Sequence, residues 1–101
     1  MPATLDITRE IAFYTAKVAT GQQDCLYISN LDEIYPGTGV TLREFVRLCF
    51  AELGIDIEFS GKDRHEKGVI IDIDEDKIGG LGLNTDSLRF GQTVVRVGEI
   101  A

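Results

Sequence analysis

The stretch TLREFVRLCFAELG, Thr41 to Gly54, constrains this chain more than any other. Thr41 and Glu44 form a T-x-x-E capping box, in which each side chain accepts a backbone N–H that a helix start leaves unpaired. Val40 and Phe45 stand where a hydrophobic staple needs them. Leu42, Phe45, Val46, Cys49, Phe50 and Leu53 recur on one face at helical spacing. Gly54 supplies a left-handed stop, and Ile55 can fold back on Phe50. A helix with so apolar a face needs a surface to cover, and the following residues supply one. Ile55, Ile57 and Phe59 alternate with Asp56 and Glu58, as in a half-buried strand.

Beyond a charged loop at Ser60–Lys67, Val69, Ile71 and Ile73 alternate with Ile70, Asp72 and Asp74 in a second strand. Asp74–Ser87 is rich in glycine and reads as irregular. Thr93, Val95 and Val97 give a last strand. Ahead of the central helix, Asp6 is placed to cap a first helix whose Ile7, Ile11, Tyr14 and Val18 share one face. Ala12, Ala16 and Ala19 lie beside that stripe, and Gly21 is its expected stop. Cys25–Ser29 reads as a short strand, and Asn30–Gly39 as a turn-forming segment. These elements predict a single α+β domain over residues 1–101, with about two helices on one face of a three- to four-stranded mixed or antiparallel sheet. So few strands leave apolar surface or a strand edge uncovered, which predicts a homodimer.

Length and charge narrow the function classes. A chain of 101 residues makes one small domain. Its formal net charge of -7 disfavours nucleic acid and anionic membrane, both of which need a positive patch. Cys25 and Cys49 make no disulfide framework and read as small buried hydrophobes. The N-terminal residues show no apolar signal region, and no apolar run approaches the roughly 20 residues of a membrane span. A cytoplasmic protein is the expectation.

The constellations that could carry chemistry are weak. Gly37 and Gly39 precede a helix start, where a phosphate loop would lie. However, a dinucleotide fingerprint needs a third glycine at position 42, which is Leu, and no P-loop lysine follows. Asp32 and Glu33 would repel phosphate, and Pro36 ends a central strand poorly. The glycines therefore read as a helix entrance. Gly80 and Gly82 fit the fingerprint less well, with Thr85 in the third position. Asp72, Asp74 and Asp76 make a D-x-D-x-D run, but Lys77 and Leu83 occupy the places where a calcium loop needs glycine and an acid. His65 is the single histidine, set among charged residues with no partner for a triad or a zinc site.

Two stretches resemble the GDP-mannose 4,6-dehydratases, members of the extended short-chain dehydrogenase/reductase family. ITREIAFYTAKVATGQQDCLYISNLD, Ile7 to Asp32, is similar to the family's I-T-R helix followed by C-L-Y-L-G-N-L-D. TGVTLREFVRLCFAELGIDIEFSGKDRHEKGVI, Thr38 to Ile70, is similar to its A-T-G-V and R-E-F-V helix, its L-G-I strand entry and its E-K-G-I turn. The final TVVRV resembles a further family strand. The nucleotide-binding half, its glycine fingerprint and the catalytic Thr, Glu, Tyr and Lys have no counterpart in these residues. Tyr14 and Lys17 stand three apart, where the family's catalytic Tyr and Lys stand four apart. Glu10 replaces a family base.

The resemblance implies a shortened substrate-domain-like piece. Its first implied function is a non-catalytic structural or interaction role as a homo-oligomer, with no catalytic residue, cofactor or metal site. The alternative is a module that recognises a sugar nucleotide through Thr8, Arg9, Asn30 and Arg43. The third is an enzyme subunit that works with a separate NADP-binding partner.

Overall fold

The computed structural model describes residues 2–34, 39–82 and 88–98, with side chains from Ile11 onward. Helix α1 (Pro2–Ala19) leads through strand β1 (Leu26–Ile28) to helix α2 (Leu42–Glu52). Strands β2 (Ile55–Ser60) and β3 (Lys67–Ile73) form a hairpin around a single 3-10 turn at Asp63–His65. A short helix α3 (Glu75–Gly80) and strand β4 (Thr93–Val97) complete the order. The four strands form one mixed sheet in the order β1-β4-β3-β2, with β4 parallel to β1 and antiparallel to β3. Helices α1 and α2 pack on each other and against the sheet at β1 and β2. Their buried residues join those of the strands in one core around Val46, Phe50, Ile55, Val94 and Val95. The expected α+β architecture is present, with a third helix added.

Helix α2 follows its sequence closely. Thr41 adopts extended backbone and its Oγ1 accepts from the Glu44 N–H at 3.2 Å. The Glu44 carboxylate, the other half of the expected box, instead takes the Arg47 guanidinium, with Nε at 2.7 Å. Leu42, Val46 and Phe50 are buried, while Phe45, Cys49 and Leu53 pack against the core from its margin. Gly54 closes the helix at φ +88°. Its carbonyl accepts from the Asp74 N–H at 2.7 Å, which joins the end of α2 to the start of α3.

Helix α1 departs from its expected frame. It starts at Pro2, so Asp6 lies inside it rather than at its cap. Proline is favoured in the first helical turn, where its missing N–H is no loss. Tyr14, expected in the core, is 36% exposed, and Ala12 is exposed as well. The buried face runs instead through Ile11, Thr15, Val18 and Ala19. The side chain of Ile7 lies outside the described residues. The stop at Gly21 holds. The glycine is at φ +79°, its N–H donates to Val18 O at 3.2 Å, and the Gln22 N–H donates to Lys17 O at 2.9 Å. This pair of bonds is the Schellman ending.

Two further readings are corrected. Residues 75–80, expected to be irregular, form α3. Asp74 Oδ1 accepts from the Lys77 N–H at 3.1 Å, and Ile78 is buried to 1% exposure. A cap and a buried isoleucine outweigh the cost of Gly79 and Gly80. Leu83, Thr85 and Ser87 lie outside the described residues. In β3 the expected alternation shifts phase. Asp56 pairs with Asp72 but Ile57 pairs with Ile70, so Ile71 is an extra residue that bulges out, 52% exposed. A second irregularity pairs Gly68 with Val95 and Val69 with Thr93. It leaves Val94 as the extra residue and lets Val94 and Val95 both be fully buried.

Candidate functional site

The loop after β1 and the start of α2 are laced together. Asn30 Oδ1 accepts from the Asp32 N–H at 3.0 Å, a local turn that turns the chain back toward α2. The first-turn N–H groups of α2 are then consumed in order. Leu42 donates to Glu33 O at 2.8 Å, Arg43 to Leu31 O at 3.0 Å, Glu44 to Thr41 Oγ1, and Phe45 to Thr41 O at 3.0 Å. A helix N-terminus binds an anion only with N–H groups that are unsatisfied. This one presents none, so the glycines ahead of it serve a helix entrance. Gly39 takes φ +72°, whereas Pro36, Gly37 and Thr38 lie outside the described residues.

Arg43 sits at the centre of the site. Its Nε and Nη2 donate to the two Glu66 carboxylate oxygens at 2.5 and 2.6 Å. Its Nη1 meets Asp32 Oδ1 at 2.8 Å. The guanidinium also lies 6.0 Å from the Phe59 ring centroid, a cation–π distance. The Glu66 hydrogen bonds, and then those of Asp32, raise the Arg43 pKa against the opposing effect of burial. The guanidinium is therefore a fixed cation whose fork is already filled.

A hollow of about 200 Å³ lies alongside, lined by Ser29, Asn30, Asp32, Asp63, Arg64 and Glu66 among others. Three of these six are carboxylates. Asp63 takes φ +53°, and His65 is exposed on the same 3-10 turn. Among the described residues no group of His, Cys, Asp and Glu is arranged to hold a metal. Within the D-x-D-x-D run, Asp74 spends its carboxylate on the α3 cap.

Of the four residues expected to contact a ligand, the structure brings two together. Asn30 and Arg43 are linked through Asp32. Thr8 and Arg9 lie on α1, and their side chains are outside the described residues. Sequence reasoning missed that Asp32 and Glu66 would occupy Arg43. The signal was present in the N-L-D, R-E-F and E-K-G stretches, which contribute Asp32, Arg43 and Glu66 to this one cluster. No helix among the described residues is long and apolar enough to cross a membrane.

No protein-family model matches the chain. It is 31% identical over 118 aligned positions to a GDP-mannose 4,6-dehydratase of Yersinia enterocolitica, an alignment covering 90% of this chain and 30% of that protein. GDP-mannose 4,6-dehydratases of Vibrio cholerae serotype O1 and of Vibrio cholerae match at 26% and 25% identity with the same coverage. These similarities relate the chain distantly to the GDP-mannose 4,6-dehydratases, of whose length it spans 30%.

Proposed function

We propose that this domain is a non-catalytic module descended from a dehydratase-like substrate domain, acting as a homodimer in a structural or interaction role. One observation carries the reading. Two devices that could hold a sugar-nucleotide phosphate at this site, the α2 N-terminus and the Arg43 guanidinium, are satisfied internally by Leu31, Glu33, Asp32 and Glu66, and the other cation on the hollow, Arg64, shares its walls with three carboxylates. A ligand would have to displace two carboxylates from Arg43. The hollow of about 200 Å³ beside it is also below the range of roughly 300–1,000 Å³ usual for small-molecule pockets.

The dimer reading is supported by the β1 side of the molecule. Strand β1 is a sheet edge whose middle residue, Tyr27, is exposed; Tyr14 lies beside it, with Phe13 (56% exposed) edge-on to Tyr14 at 5.3 Å. An edge strand next to exposed aromatics is a natural pairing surface.

Titration with GDP-mannose, GDP and NADPH, followed by melting temperature and calorimetry, tests the first half. No shift is expected at millimolar ligand, and a saturable rise with GDP-mannose would favour a binding module instead. Light scattering tests the second half. The expected mass is twice that of the 11.1 kDa chain, and monomer alone at high concentration removes the dimer.

A further inference from the structure

Strand β1 turns the backbone of one residue out of the sheet. It pairs with β4 in the register Leu26↔Val95, Tyr27↔Arg96 and Ile28↔Val97, and the Gly98 N–H donates to Ile28 O at 2.9 Å. Along a ladder, residues that bond the neighbouring strand alternate with residues that face away from it. Leu26 and Ile28 therefore spend their N–H and C=O groups on β4. Those of Tyr27 point outward, where no group among the described residues pairs with them. Upstream, the Cys25 carbonyl already accepts from Gln23 Nε2 at 2.6 Å. The two edges of the sheet differ in what they do to a second copy. At the far edge, β2 carries Asp56 and Glu58 on its exposed face. Two such strands laid antiparallel about Ile57 would set Asp56 against Glu58, and like charges directly opposite repel. Strand β1 has no charged residue, proline or bulge to blunt it, and only its shortness protects it.

We propose that two copies of this chain join edge to edge through β1, antiparallel about a two-fold axis at Tyr27, so that their sheets run on as one. This rests on the homodimer reading above and adds the strand, the register and the symmetry. A two-fold interface must be self-complementary, and an outward-facing residue on the axis meets that condition alone. The Tyr27 N–H donates to the Tyr27 carbonyl of the second copy and receives the same bond in return. The register then sets Leu26 against Ile28 of the second copy on the helix face. On the other face it sets the two Tyr27 rings against each other, a favourable cross-strand pair. The axis stands perpendicular to the sheet, so α1 of both copies lies on the same side of the junction. There a hollow of about 270 Å³ opens between Ile11, Tyr14, Leu42 and the edge of β1, and the second copy closes it.

The test joins cross-linking to light scattering on the full chain. Directly opposed residues of a hydrogen-bonded antiparallel pair have Cα atoms about 5.5 Å apart, inside the range of roughly 4.4–6.8 Å that a disulfide spans. Under mild oxidation Tyr27→Cys should therefore run as a covalent dimer. Glu58→Cys on β2 should not, nor should the unsubstituted chain, whose Cys25 is buried and Cys49 half-buried. Tyr27→Pro removes an N–H that β4 does not use, as proline on an outward edge position allows. It should raise the dimer dissociation constant about 30-fold, the loss of two hydrogen bonds. In the labelled, unsubstituted chain the Tyr27 amide should exchange slowly with solvent when concentrated and rapidly once diluted to monomer. Should Tyr27→Pro fail to fold, the cross-link and the exchange rate decide. A chain that stays monomeric at high concentration overturns this proposal together with the homodimer. A dimer that forms no Tyr27→Cys cross-link, or leaves the Tyr27 amide in fast exchange, overturns the strand pairing and leaves the homodimer standing.

Discussion

Arg43 on α2 grips Glu66 on the β2–β3 connection through two parallel hydrogen bonds of 2.5 and 2.6 Å. The Glu66 side chain is only 13% exposed, so it depends on this partner for its hydration. Arg43→Ala should therefore cost about 2 kcal/mol in urea denaturation, because it strands a desolvated carboxylate. Arg43→Lys keeps the charge but not the fork, and should recover less than half of that loss. A change within 0.5 kcal/mol for Arg43→Ala would reclassify the pair as a solvent-screened contact.

Gly68 faces the core beneath Phe59 and Val95. A Cβ there would stand 3.1 Å from Phe59 Cε1 and 3.1 Å from Val95 Cβ. Phe59 can swing outward, but Val95 is fully buried in a central strand. Gly68→Ala should destabilise by about 1–3 kcal/mol. It should also weaken the contact between Phe59 and Arg43, seen as a loss of near-ultraviolet dichroism.

The joint between α2 and α3 makes a graded prediction. Asp74→Ala removes the α3 cap and should cost about 1 kcal/mol. Gly54→Ala should cost more, because the new Cβ meets the Asp74 carbonyl at 3.1 Å at a backbone φ of +88°. Measured as midpoint shifts in the same denaturant, the order of the two variants is the outcome that matters.

Cys49 gives the fold an alkaline weakness. Burial first, and Glu52 second, raise its pKa above the ordinary 9.0. The unfolded chain then loses this proton at a lower pH than the folded one. The stability that comes from keeping the thiol neutral is present below pH 9 and is lost as pH rises through the folded value. Cys49→Ala should flatten the decline in stability above pH 9, by up to about 1.4 kcal/mol per pH unit. Alkylation by iodoacetamide should be correspondingly slower than for an unfolded control.

Helix α2 was legible because every local signal agreed: the Thr41 cap, the stripe ending at Leu53 and the Gly54 stop. Tyr14 was misread because spacing alone cannot tell which of two adjacent stripes meets the sheet, and Thr15 rather than Tyr14 turned inward. The bulge at Ile71 leaves no trace in a run of three apolar residues. Short α3 depends on Ile78 finding the core, a tertiary event that glycine-rich composition conceals. At the site, Asn30 and Arg43 were visible as motif residues. Asp32 and Glu66 stood in those motifs too, but not as partners of Arg43, because Arg43 and Glu66 stand 23 positions apart and meet only in the folded chain.

The sheet order has a consequence for how the protein is made. Among the described residues strand β1 pairs with β4 alone, and the Cys25 thiol just before it reaches the Thr93 carbonyl across 68 positions of chain. On the ribosome, α1, α2 and the β2–β3 hairpin emerge with β1 still lacking any strand to lie against. Until Thr93–Val97 clears the exit tunnel, the nascent chain carries a gap through the middle of its sheet. Its exposed edges are then at the mercy of chaperones or of neighbouring copies on the same message.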